Sequence, residues 1–135
     1  MKPYMLDTNT LSYFMRNHQQ ALVERVTQAL VHQTATISVI TQAELRFGQA
    51  CMAAADKRRR AIDLVLNQVR VLPWTAAAAD IYGVLKWQNR RQGTPIGEMD
   101  TQIAAHALAE KLILVTHNTR HFEQVPGLKL EDWLV

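Results

Sequence analysis

The sequence predicts an α/β fold: a central, mostly parallel sheet of about 4–5 strands flanked by about 6–7 helices in a three-layer sandwich. Three observations carry the α/β class. Short apolar or β-branched runs alternate with stretches of helical periodicity along the chain. Leu112-Ile113-Leu114-Val115 is an unbroken apolar run, as expected of a parallel strand buried on both faces. No repeat, low-complexity segment or linker interrupts the 135 residues, so 1–135 reads as one domain with one core.

The first strand is Tyr4-Met5-Leu6, which ends abruptly at Asp7. Thr8 and Asn9 follow and suit a helix start, with Leu11, Phe14 and Met15 at helical spacing. A second helix covers Gln19 to Val31, with Leu22, Val23, Val26 and Leu30 on one face. Thr34 to Ser38 is short and β-branched, a second strand. Thr41, with Glu44 three residues on, forms a capping-box pattern for a helix over Gln42 to Ala54, with Ala43, Phe47, Ala50 and Cys51 as its apolar positions. Asp56 to Val69 reads as another helix, opening on the basic run Lys57 to Arg60. Val71-Leu72 is a brief strand stopped by Pro73. Thr75 to Arg91 reads as a long helix, and Gly93 to Gly97 as a loop. Met99 to Lys111 is an alanine-rich helix. After the apolar run, Thr116 to Gly127 reads as loop with one helical turn, and Leu128 to Leu130 as an edge strand.

The bulk numbers describe an ordinary globular chain: 48% hydrophobic, 20% charged, net charge +3. The mild positive charge is compatible with a nucleic-acid partner and does not require one. Cys51 is the only cysteine, so no internal disulfide forms, and a reducing, cytoplasmic setting is expected. No signal-peptide pattern precedes Asp7, and no apolar run approaches the roughly 20 residues of a membrane span.

Most of the twelve acidic residues have an easy surface placement. Three do not. Asp7 stands where a strand leaves the core, the place where open α/β sheets bind ligands; the same position suits a helix cap. Glu44 shares a helix face with Ile40, Phe47 and Cys51, beside an apolar stripe where a lone carboxylate is costly; it also fits the capping box with Thr41. Asp100 opens the helix whose apolar face is Ile103, Ala104, Ala107 and Leu108, at an end that favours anions. Asn118, in the Thr116-His117-Asn118-Thr119 segment after the apolar strand, occupies a place equivalent to that of Asp7 and also suits a turn. Several carboxylates together repel and raise one another's pKa, and a divalent cation relieves the repulsion. Carboxylate oxygens, an amide and waters suit magnesium or manganese. His106, His117 and His121 follow no metal-ligand spacing, and neither a phosphate-binding glycine loop nor a nucleophile elbow is present.

Four segments in this order resemble the PIN-domain ribonucleases, and within them the VapC toxins of bacterial toxin–antitoxin modules: Met5 to Asn9; Ser38 to Gly48; Gly93 to Asp100, continuing to Ala107; and Leu114 to Phe122, followed by Val125 to Leu128. The resemblance spans nearly the whole chain and implies a PIN-like fold. It implies an acidic pocket of Asp7, Glu44 and Asp100, completed by Asn118, with Asp7 and Asp100 as the principal magnesium ligands and manganese as the alternative ion. It further implies RNA cleavage, in some members in the tRNA anticodon stem-loop, a cognate VapB-like antitoxin that blocks the pocket with a basic side chain, and a homodimer. Departures from the pattern are Glu98, where proline is common, His117, where asparagine is common, and His121, where an acidic residue is common.

On this reading, magnesium at Asp7 and Asp100 polarises the scissile phosphate and activates a water. Glu44 positions that water or a second ion, and Thr8, Asn9 and Thr116 brace the ligands. Arg46, Arg90, Arg91 and Arg120 are candidate phosphate contacts, each with a solvated surface role as the alternative. Tyr82, Trp87 and Trp133 are placed either in a dimer interface or in the core. Two rivals stand beside this reading. A catalytically silent PIN-like module would hold RNA or a partner without cutting. A haloacid-dehalogenase-type phosphatase needs a second aspartate two residues after Asp7, where this chain has Asn9.

Overall fold

The structure, a computed structural model, describes residues 3–93 and 96–134. Five strands form one sheet: β1 (Tyr4–Leu6), β2 (Ala35–Ser38), β3 (Arg70–Leu72), β4 (Ile113–Val115) and β5 (Leu130–Glu131). Every neighbouring pair is parallel and the order is β3-β2-β1-β4-β5. The seven helices are α1 (Thr8–Met15), α2 (Gln20–Val31), α3 (Val39–Ala50), α4 (Arg58–Gln68), α5 (Ala76–Gln92), α6 (Glu98–Glu110) and α7 (Thr119–Phe122).

Successive residues of a strand face opposite sides of a sheet, and this alternation divides the core in two. Leu6 and Val115 join Leu11, Leu22, Val26, Leu45, Ile62 and Val65 beneath α1 to α4. Met5 and Leu114 join Leu85, Ile103, Ala104, Ala107 and Phe122 beneath α5 to α7. The apolar run before Thr116 is therefore dark on both sides, as its composition predicts.

The chain runs from β1 out to β2 and β3 on one side, then returns to the other side for β4 and β5. The strand order thus reverses between β1 and β4, and a crevice opens at their carboxyl ends. Asp7 follows β1, Thr116 follows β4, and Ser38 ends β2.

Element types match the sequence expectation, with informative differences. Helix α3 starts at Val39, three residues earlier than expected, and its cap is the Ser38 hydroxyl, which accepts from the Ile40 N–H at 3.0 Å. Thr41 is therefore a buried residue inside the helix and not its cap. The expected apolar stripe of α3 faces outward: Phe47 is 73% exposed, and Ala43, Ala50 and Cys51 are exposed as well. The buried face is Thr41, Leu45 and Gln49. The edge strand β5 lies at Leu130–Glu131 instead of beginning at Leu128. Trp133 belongs to the core, edge-on to Tyr4 at 4.9 Å between ring centroids, whereas Trp87 is exposed. Thr94 and Pro95 of the expected glycine-bounded loop lie outside the described residues.

Candidate active site

Asp7 is almost wholly buried, with 4% of its surface exposed. Its backbone N–H donates to the Val115 carbonyl at 3.0 Å, which extends the β1–β4 ladder by one residue and fixes the side chain in the crevice. One carboxylate oxygen, Oδ1, accepts from the Thr10 N–H at 2.8 Å, so Asp7 does cap α1. Capping and site placement coincide in one residue. Burial raises the Asp7 pKa; hydrogen bonds from Thr116 and Thr10 oppose that rise, and the Asp100 charge adds to it.

Glu44 sits in the second turn of α3, at the rim of the crevice and half-buried. Its Oε1 accepts from the Thr8 hydroxyl at 2.5 Å, and Thr8 in turn stands 3.1 Å from the buried Thr41 hydroxyl. Partial burial raises the Glu44 pKa, the bond from Thr8 lowers it, and the charges of Asp100 and Asp7 raise it further. Asp100 occupies the first turn of α6. Its pKa is also raised by burial, against a lowering by nearby His121. The three acids of β1, α3 and α6 thus lie within electrostatic reach of one another.

Two predicted residues are not drawn into this cluster. Asn118 is exposed at the N-terminal end of α7, where its backbone N–H donates to the Thr116 hydroxyl at 3.0 Å and its carbonyl accepts from His121. Among the described residues its amide makes no hydrogen bond to the acids. Asn9 is exposed and lines a groove of about 410 Å³ that runs beside Glu44 between α1, α3 and α4. The Thr8 hydroxyl donates to Glu44, and the Thr116 side chain hydrogen-bonds Asp7. Glu98 faces away, hydrogen-bonded to the Tyr82 hydroxyl and paired with Lys86 at 3.4 Å.

Thr10 and Arg16 were not singled out in the sequence, and His121 and Arg58 were seen only as a departure from the family pattern and as part of the basic run Lys57 to Arg60. Thr10 holds Asp7 through its N–H and ties α1 to β4, its hydroxyl donating to the Val115 carbonyl at 3.2 Å; an aspartate followed three residues later by threonine was the available signal. His121 places Nε2 3.5 Å from Asp100 Oδ2, a contact that no local spacing foretells. Arg16 and Arg58 flank the groove beside Glu44. Arg46, a predicted phosphate contact, is instead paired with Asp63 at 2.6 Å. Within the basic run, Arg58 pairs with Asp56, and Arg59 donates to the Gln49 and Met52 carbonyls at the end of α3.

The donor set suits a hard divalent cation, because oxygen ligands of high negative charge, each penalised by burial and mutual repulsion, are relieved by one. As the side chains stand, Asp7 is turned to its cap and Glu44 to Thr8. Accordingly, no group of three His, Cys, Asp or Glu among the described residues already converges on one point.

Residues 4–128 match the PIN domain family. The chain is 39% identical over 132 residues to "Ribonuclease VapC1" of Haemophilus influenzae, covering 96% of this chain and 97% of that protein. It is 35% identical to "tRNA(fMet)-specific endonuclease VapC" of Salmonella typhimurium, covering 98% and 99%. Among solved structures it is similar to VapBC2 from Rickettsia felis bound to a promoter DNA fragment, with a TM-score of 0.87, 32% identity, and coverage of 96% and 98%. It is also similar to DNA-bound VapBC from Salmonella typhimurium, with a TM-score of 0.89, 34% identity, and coverage of 98% and 99%. A crevice of one buried and two half-buried acids at the switch point of a parallel sheet, together with these likenesses, makes the chain a member of the PIN-domain family, in its VapC ribonuclease branch.

Proposed function

We propose that the chain, acting as one nuclease domain, is a divalent-metal-dependent endoribonuclease and the toxin of a VapBC-like pair. Magnesium is its working ion, with manganese as the alternative. The observation that carries this reading is the juxtaposition of Asp7, Glu44 and Asp100, whose pKa values are all raised by burial.

Asp7 and Asp100 hold the ion. The chemistry that such an ion supplies is polarisation of the scissile phosphate and acidification of a bound water. Glu44, with its raised pKa and its fixed partner Thr8, would orient an attacking water and take up its proton. Thr116 and Thr10 lock Asp7 in place, which keeps the ligand from swinging away under the load of substrate. Asn118 offers its exposed amide to the substrate side of the crevice. Arg16 is placed to meet the RNA backbone along the groove, which Arg58, paired with Asp56, also lines.

The substrate is RNA, and the tRNA anticodon stem-loop fits the activity for which the Salmonella relative is named. The partner is a VapB-like antitoxin, as in the VapBC complexes that the fold resembles. A basic side chain placed among three carboxylates would block the site. A homodimer is the assembly that carries this arrangement.

The test is to incubate the purified chain, freed of any partner, with total RNA in magnesium or in EDTA. Wild type should cleave only with magnesium, and Asp7→Asn should lower cleavage by roughly 100-fold or more. Identical RNA patterns from wild type and variant would overturn the proposal.

A further inference from the structure

His121 lies in the last turn of α7 and directs its imidazole at Asp100: Nε2 stands 3.5 Å from Oδ2. The ring is not free to drift. It packs edge-to-face on Phe122, with centroids 5.4 Å apart, and Phe122 is 1% exposed in the core beneath α5 to α7. A quarter of the His121 side chain remains exposed, so an ion arriving from solvent can reach it.

The spacing of the two atoms is informative. Two adjacent ligands each about 2.1 Å from one octahedral ion lie ~3.0 Å from each other. The observed pair stands slightly wider than that, so the two side chains already face one another at nearly the separation that a shared cation sets.

We infer that His121 supplies an imidazole nitrogen to the cation held by Asp100, making the centre a mixed oxygen–nitrogen site that binds manganese more tightly, relative to magnesium, than an all-oxygen set would. The inference rests on the metal site proposed above. The chemical reason is ligand type: carboxylates and waters serve magnesium, whereas an imidazole nitrogen adds affinity for first-row transition ions and little for magnesium. His121 requires its Nε2 lone pair for this role, so the ion and a proton on that nitrogen exclude one another.

Manganese is a suitable probe, because its binding is read directly by electron paramagnetic resonance and calorimetry without any substrate. With the full chain at neutral pH, pulsed resonance of bound manganese should show coupling to a ring nitrogen. His121→Asn should abolish that coupling and reduce the ratio of manganese to magnesium affinity by about tenfold. His121→Asp, which restores an all-oxygen set, should bind magnesium at least as tightly as wild type. Absence of nitrogen coupling in the wild-type spectrum would overturn the inference. So would an equal change for both ions in His121→Asn, because it would mark His121 as a simple ion-pair partner of Asp100. Asp100→Asn separates this from the underlying reading: if both ions still bind that variant as they bind wild type, the metal site itself is misassigned.

Discussion

Asp7 shows how one side chain serves two ends. Its Oδ1 caps α1, and its burial keeps the carboxyl hard to ionise. A carboxyl whose folded pKa is raised holds more protons folded than unfolded, so its ionisation costs stability as pH rises from its ordinary value of 3.8 through the raised one. Asp7→Asn keeps the capping oxygen and removes the charge. Without divalent cation, its melting temperature should therefore gain on that of wild type as pH rises through this window. Added magnesium should stabilise wild type at neutral pH and leave the variant unmoved, which differential scanning fluorimetry will show. Asp7 was legible because a strand ended on it. Thr10 and His121 were not: the first acts through its backbone and the second through a contact across the fold. That the Asn118 amide makes no bond to the acids has a related reason, since a sequence shows where a strand ends and not which way the next turn points.

Helix α3 shows the same limit at the scale of an element. Ala43, Phe47, Ala50 and Cys51 mark its outer surface, and its buried face sets Leu45 between Thr41 and Gln49, whose polar atoms are satisfied internally. Hydrophobic periodicity therefore points to the wrong side. Glu44 was found even so, because it lies at the border of both faces. The helix is fixed from its start. The Ser38 hydroxyl accepts from Ile40 and, 2.7 Å from His106 Nδ1, joins the foot of α3 to α6, the helix of Asp100. Ser38→Ala should cost about 1 kcal/mol for the cap and a further ~1–3 kcal/mol for the buried His106 nitrogen left unpaired. Urea denaturation measures the sum. Cleavage should fall as well, because the two helices carrying Glu44 and Asp100 lose their shared anchor. Burial also lowers the His106 pKa, so that histidine contributes stability that is lost as pH falls below its ordinary value of 6.5.

For the molecule as a whole, the net charge of +3 states only a tendency, and its distribution carries the function. Arg16 borders the groove beside Glu44, while Arg58 is paired with Asp56, and Arg46 and Arg59 are committed to Asp63 and to the end of α3. Replacing Arg16 with alanine should weaken binding of unrelated RNAs alike and reduce the slope of log affinity against log salt by roughly 1; Arg46→Ala should leave the slope unchanged. Trp133 follows a similar division. As a core residue beneath Arg25, 4.6 Å from its guanidinium, it should cost ~3–5 kcal/mol of stability when truncated to alanine. A dimer-interface residue would instead shift the oligomeric state. The α/β class, the parallel sheet and the three acids were readable from runs and spacings. The strand order was not, since it depends on which strands find one another after the chain has turned back.

That order bears on the time at which the molecule becomes active. The crevice needs β1 beside β4, and the Thr10 hydroxyl reaches a carbonyl 105 residues further along. Contacts of such long range form late in folding. A growing chain that has not yet delivered Val115 and Thr116 carries Asp7 and Glu44 without the wall that sets Asp7 in place. The acidic crevice is therefore incomplete in any chain that lacks Val115 and Thr116, because Asp7 then has neither the β4 carbonyl nor the Thr116 side chain to hold it.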